Sequence, residues 1–171
     1  MADDGLSYTF NLHKGVKFHD GTPFTSADVK ASYDRMRNPP EGVTSVRKAL
    51  FASISEIETP DDHTVIFKLS SPDAFMMDGF ASPFNAIYSA KDLASDPAFP
   101  VKNVNGTGPY MLDEHVKGEA YKAVRYEDFH HGDNCLDGTV GYRIKGIVEP
   151  MVGGQIMAEW RGVAPPERKS L

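Results

Sequence analysis

Among the places where histidine stands near carboxylate, two draw attention as candidates for acid–base or metal chemistry. The first is His19-Asp20, inside "YTFNLHKGVKFHDGTPFTSADV". A general base needs its orienting carboxylate across space, hydrogen-bonded to one ring nitrogen, and neighbours in a turn rarely reach that geometry. Asp before Gly is ordinary turn chemistry, so His19-Asp20 reads as a turn. The second is His130-His131 with Asp128, Asp133 and Cys135, which together supply nitrogen, oxygen and sulfur donors. Adjacent histidines on a strand point to opposite faces, so both would ligate only from a loop. No HExxH and no paired CxxC accompanies them, and a solvated loop is the simpler reading.

"NGTGPY", Asn105 to Tyr110, brings two glycines together but lacks the GxxxxGK[ST] and GxGxxG phosphate patterns. Pro109 also removes an amide that a phosphate nest would use. The expected role is conformational, with the glycines at positive φ. There is no GxSxG, and Cys135 beside Leu136 and Asp137 has no evident activating base. A hydrolase or metalloenzyme built on His19 and Asp20 would need a third orienting group and a concave pocket, and the sequence offers neither. No catalytic residue, resident metal or cofactor is expected.

The elements that must position any site belong to an ordinary globular chain. It has 171 residues, 40% of them hydrophobic and 25% charged, and it is long enough to bury a core without a disulfide or metal. Its single cysteine cannot form an internal disulfide. A net charge of -6 argues against a general nucleic-acid binder, which needs a basic face. No apolar run approaches the ~20 residues of a membrane-spanning helix. "MADDGLSYTF" has neither a basic n-region nor an apolar h-region, so no signal peptide is expected in this chain.

Tyr8, Phe10 and Leu12 alternate with polar residues as in a half-buried strand, and Gly15 and Asp20-Gly21 mark tight turns. Thr25 and Asp28 have capping-box spacing, followed by a helical stripe of Val29, Tyr33 and Met36 that stops before Pro39-Pro40. A loop from 41 to 51 leads into a short helix around 45–50. A hairpin follows, with strands at 54–59 and 64–69 about the turn "PDDH". Short helices are expected at 72–80 and 89–95, and a turn-rich connection at 100–109. Strands at 110–114, 120–126 and 139–148 precede a helix at 152–160. The fold class is α+β (mixed α/β), with hairpins and short helices and without the even βαβ spacing of a doubly wound sheet.

"DDGLSYTFNLHKGVKFHDGTPFTSADVKASYDRM" resembles the signature region of the family 5 extracellular solute-binding proteins, the oligopeptide, dipeptide and nickel receptors of ABC importers. "ISEIETPDDHTVIFKLSSP", "ASPFNAIYSAKDL" and "NVNGTGPYMLDEHVKGE" are similar to later family segments, in the same order. "LDGTVGYRI" and "AEWRGVAPPER" are weaker echoes, and "RYEDFHHGDNCLDG" departs from the usual pattern. The resemblance implies part of a lobe of the type II periplasmic-binding-protein kind. It places about 20–108 in a small family-specific subdomain, and 1–19 with 109–171 in the larger one. Family members run to about three times this length, as two lobes on a hinge, in keeping with the size limit on single cores. The chain therefore reads as an incomplete N-terminal lobe without the second lobe, with weak ligand binding or none.

The resemblance further implies a receptor rather than an enzyme, working in the periplasm or outside the cell. Its implied partners are a small peptide or similar solute and an ABC permease, with no nucleic acid. Family geometry points to the loop after the first helix, Val43, Thr44, Ser45 and Arg47, as an edge of the cleft, with Asn105, Thr107 and Gly108 as a second set. The runner-up receptor class takes nickel or a metal chelate through His115, His130 and His131. An interaction module, self-associating through exposed strand edges and apolar patches, is a further alternative.

Overall fold

Apolar alternation in three short segments builds the principal sheet. In the computed structural model, which describes residues 1–2, 4–82, 84–116, 120–129, 149–150 and 156–157, these segments are β1 (Ser7–Asn11), β2 (Ile54–Asp61) and β3 (Thr64–Leu69). They form an antiparallel sheet in the order β1-β3-β2, with Tyr8 and Ile57 both opposite Phe67, and Phe10 opposite Val65. Strand side chains alternate between faces, so Val65, Phe67 and Leu69 all enter the core while Ile66 and Lys68 stay partly exposed. The chain divides into two units, Met1–Gly106 and Thr107–Leu171. Pairing with β3 places β1 in the first unit. Alternation identifies a strand but carries no record of its hydrogen-bonding neighbour.

One helix, α1 (Ser26–Arg37), covers this sheet. Val29 and Tyr33 are buried, one helical turn apart, and the C-terminus falls just before Pro39-Pro40, as the periodicity predicts. The capping box forms, with an unforeseen extension. The Asp28 carboxylate accepts the Thr25 amide at 2.7 Å and the Thr25 hydroxyl at 3.0 Å. Its other oxygen accepts the Ala90 amide at 2.8 Å, at the start of α3 (Ala90–Ser95). Ser89 adds an N-cap to α3 through its hydroxyl. Between sheet and helix, Tyr8, Phe10, Tyr33, Phe67 and Phe80 meet mostly edge to face, with centroid separations from 4.7 to 5.8 Å. Phe51 and Met76 complete this core.

The smaller elements depart from expectation in instructive ways. The helix expected around 45–50 is realised as turns ending in a 3-10 turn, Ala49–Phe51, since so short a segment returns few hydrogen bonds for its nucleation cost. The helix expected at 72–80 begins only at Met76 (α2, Met76–Phe80). Asp73 delays it by accepting the Phe75 amide in an Asx turn and the Ser53 hydroxyl at 2.8 Å. The turn-rich connection contains a one-turn helix, α4 (Phe99–Lys102), whose second residue, Pro100, suits a first turn.

In the second unit, β4 (Tyr110–Val116) and β5 (Ala120–Arg125) form the expected hairpin. Two-residue strands β6 (Glu149–Pro150) and β7 (Ile156–Met157) pair antiparallel. Ile156 and Met157 are thus strand, where a helix was expected over 152–160. Glycine has a low helix propensity, and the sequence carries Gly153-Gly154 just before these two residues. The strand expected at 139–148 lies outside the described residues.

Candidate ligand-binding site

The His19-Asp20 segment is a turn. Val16 to Phe24 folds back on itself, with the Phe18 amide donating to the Thr22 carbonyl at 2.8 Å and the Phe24 amide to the Val16 carbonyl at 2.9 Å. Gly15 and Gly21 take φ of 77° and 83°, which L side chains avoid, so both glycines are required by the turns they make. The Asp20 carboxylate accepts the Thr22 amide at 3.0 Å and its hydroxyl at 2.6 Å. Slight burial alone would raise its pKa, but the Thr22 bonds and the Asn105 side chain hold it below the usual carboxylate value. His19 instead faces Gly106, whose amide lies 3.4 Å from Nδ1 and whose carbonyl accepts the His19 amide at 2.8 Å.

Asn105 occupies the same corner. Its Oδ1 accepts the Asp20 amide at 3.3 Å, and its Nδ2 donates to Asp92 of α3 at 2.8 Å. It thus ties the turn to α3. Gly106 and Gly108 are not at positive φ, contrary to expectation. Gly106 serves by backbone hydrogen bonding to His19, which requires no unusual dihedral. Thr107 and Gly108 open the second unit and are partly buried there.

The loop after α1 does line a concavity, of about 230 Å³. Val43, Thr44, Ser45 and Arg47 all contribute to its wall, together with Val46 between them. The loop is held at one end by a turn from the Pro40 carbonyl to the Val43 amide (3.0 Å), with Gly42 at φ 78°. At the other end the Leu50 amide donates to the Arg47 carbonyl at 3.0 Å as the chain enters the 3-10 turn. The opposite wall comes from α1, where Ser32, Arg35 and Met36 share a face by their i, i+3, i+4 spacing. Phe84, Ala86 and Tyr88 add a third side. The buried Ser32 hydroxyl fixes that side to α1, accepting the Tyr88 amide at 2.9 Å and donating to the Tyr88 carbonyl at 3.2 Å.

The wall is chemically mixed. The Arg47 guanidinium lies over the Phe84 ring at 5.6 Å from its centroid, and Phe84 is 70% exposed. Among the described residues two guanidinium groups, Arg35 and Arg47, line the concavity and no carboxylate does. The sequence named the loop residues but missed Ser32, Arg35, Phe84 and Tyr88. The signal for the first two was their place on the flank of α1 beside its Val29–Tyr33–Met36 stripe. Of the metal candidates, His115 lies on β4 opposite Tyr121, and His130 and His131 lie outside the described residues. Among the described residues no group of three or more His, Cys, Asp or Glu side chains is placed to hold a metal ion.

The hairpin sheet under one helix has the fold of the type II periplasmic-binding proteins. The chain belongs to the bacterial extracellular solute-binding proteins, family 5, whose family model matches residues 1–144. A Brucella ovis protein provisionally named an ABC transporter peptide-binding protein is 36% identical over 143 residues, which is 80% of this chain and 26% of that protein. Among solved structures, AgaA of A. tumefaciens R10 in complex with agropinic acid is 36% identical with a TM-score of 0.70. That match covers 76% of this chain and 26% of AgaA. NikZ of Campylobacter jejuni in complex with Ni(L-His) is 28% identical with a TM-score of 0.67, covering 76% of this chain and 26% of NikZ. The chain thus spans about a quarter of the length of the relatives it matches.

Proposed function

We propose that this chain is part of the substrate-binding component of an ABC importer for peptides or similar small solutes, acting without catalysis in the periplasm or outside the cell. The concavity between the 43–47 loop and Phe84–Tyr88 edges the ligand. The observation that carries this reading is that the loop singled out from the sequence lines a concavity with both cationic and aromatic surface. Family membership and the peptide-binding name of the Brucella relative support it.

At about 230 Å³ the concavity is smaller than the ~300–1,000 Å³ usual for a site enclosing a whole ligand. It forms one wall of a site that a second surface completes, and binding by this chain alone is weak. Closure of two surfaces about a solute makes the closed form the one a permease reads, because the ligand contacts both surfaces only there.

A thermal-shift titration of this chain with a pool of di- to octapeptides, and separately with Ni²⁺, tests the reading. A ligand held only by the folded state, at a hundredfold excess over its Kd, adds about 2.7 kcal/mol of apparent stability. A small peptide-dependent shift, abolished by Thr44→Trp, which fills the concavity, is the expected result. A shift with Ni²⁺ alone would move the reading to a metal or metal-chelate receptor. A peptide shift unchanged in Thr44→Trp would place the ligand elsewhere on the chain.

A further inference from the structure

The chain carries a net charge of -6, yet among the described residues no acid lines its concavity and two arginines do. Elsewhere on α1 cations are neutralised. Lys30 and Arg37 both pair with Asp34, at 3.4 and 3.3 Å, on the same helix as Arg35. Among the described residues neither Arg35 nor Arg47 has a carboxylate partner.

Arg47 is moreover held in a particular way. The Phe84 ring lies against its guanidinium at 5.6 Å, an attraction that costs the group none of its N–H donors. A guanidinium so supported keeps a planar fork of donors that matches the two oxygens of a carboxylate. Arg35 brings a second positive charge to the same wall from a helix, a rigid element. Ser45 and Thr44 in that wall add hydroxyl groups that both donate and accept.

We propose that the concavity is selective for an anionic group, and specifically for a carboxylate on the ligand, bound by Arg47 with Arg35 as the second cation. For a peptide ligand this means that the C-terminal carboxylate, or an acidic side chain, is the end that enters here. The proposal rests on the concavity being the ligand site.

The test titrates the full chain, with its arginine side-chain Nε–Hε resonances followed by NMR, using two probes that differ only in charge. These are N-acetyl-alanyl-alanine with a free carboxylate and the same compound as its C-terminal amide. The free acid is expected to shift the Arg47 and Arg35 resonances in a saturable way. Its Kd should weaken about tenfold or more in Arg47→Gln, because a charge-assisted hydrogen bond is lost. The amide should bind at least about tenfold more weakly than the acid, and Arg47→Gln should weaken it by a smaller factor than it weakens the acid. Arg47→Lys, which keeps the charge but loses the fork, should fall between the wild type and Arg47→Gln.

Equal affinity for acid and amide, with shifts at residues 43–47, would overturn the carboxylate proposal while leaving the concavity as a peptide site. Saturable acid binding at Arg35 and Arg47 alongside no response to the peptide pool would uphold the anion site and overturn the peptide reading. Acid-dependent shifts confined to other residues would overturn both.

Discussion

Asp28 joins two helices that are far apart in sequence, and its removal should be costly for a single side chain. Its carboxylate is 6% exposed and serves three donors, the Thr25 amide and hydroxyl at the start of α1 and the Ala90 amide at the start of α3, 62 positions away. Replacing it with alanine removes its bond to the Thr25 hydroxyl, worth about 1 kcal/mol. It also leaves two backbone amides without their acceptor in partly buried surroundings, at roughly 1 kcal/mol or more each. Asp28→Ala should therefore destabilise the chain by about 3 kcal/mol. Asp28→Asn keeps one oxygen for the Thr25 pair but turns an amide nitrogen toward the Ala90 N–H, so it should lose about half as much. Urea unfolding followed by circular dichroism measures both, with an unchanged denaturant slope marking a native-state effect. Equal losses in the two variants, or an Asp28→Ala variant within about 0.5 kcal/mol of wild type, would refute the double-cap reasoning.

Burial pushes the Tyr33 hydroxyl up to about 12 from its usual 10.0, against the opposing effect of a hydrogen bond from Asn85. The unfolded chain loses this proton near pH 10 while the native state keeps it to about 12, so the stabilisation is complete below pH 10 and is lost as pH rises through that window. The loss approaches about 3 kcal/mol, and alkaline unfolding of Tyr33→Phe should lack this component; an identical pH slope would contradict it. Phe67, 2% exposed at the centre of the aromatic cluster, should cost about 4 kcal/mol on replacement by alanine, read as a fall in the urea midpoint. Asn105→Ala should cost about 1 kcal/mol and speed hydrogen exchange at the Asp20 amide, since both its hydrogen bonds tie the 19–22 turn to α3. Unchanged exchange at that amide would remove this tethering role.

Much of the first unit is written locally. The alternation of Tyr8 and Phe10, the Thr25–Asp28 spacing and the Val29–Tyr33 stripe each act within a few residues, and the strand and helix they predict both form. What was not legible acts across the chain. The Asp28 bond to Ala90 and the pairing of β1 with β3 are contacts that no local pattern encodes. The α4 turn had a signal in Pro100, but four residues are too few for periodicity to register. The candidate site divides the same way. The loop 43–47 came from the family resemblance, whereas Arg35 and Phe84 join it only because α1 and the segment bonded to Ser32 bring them there. The His19-Asp20 turn is legible in the sequence because Asp-Gly chemistry is local and the Thr22 donors lie two residues beyond Asp20.

In the function proposed above, a solute meets this chain at the concavity beside the 43–47 loop. A tripeptide carrying benzoylphenylalanine, photolysed with the chain and mapped by mass spectrometry, tests it most directly. Cross-links concentrated at residues 43–47 and 84–88, and competed away by the unlabelled tripeptide, are the predicted result. Competable cross-links confined to any other surface would contradict the account.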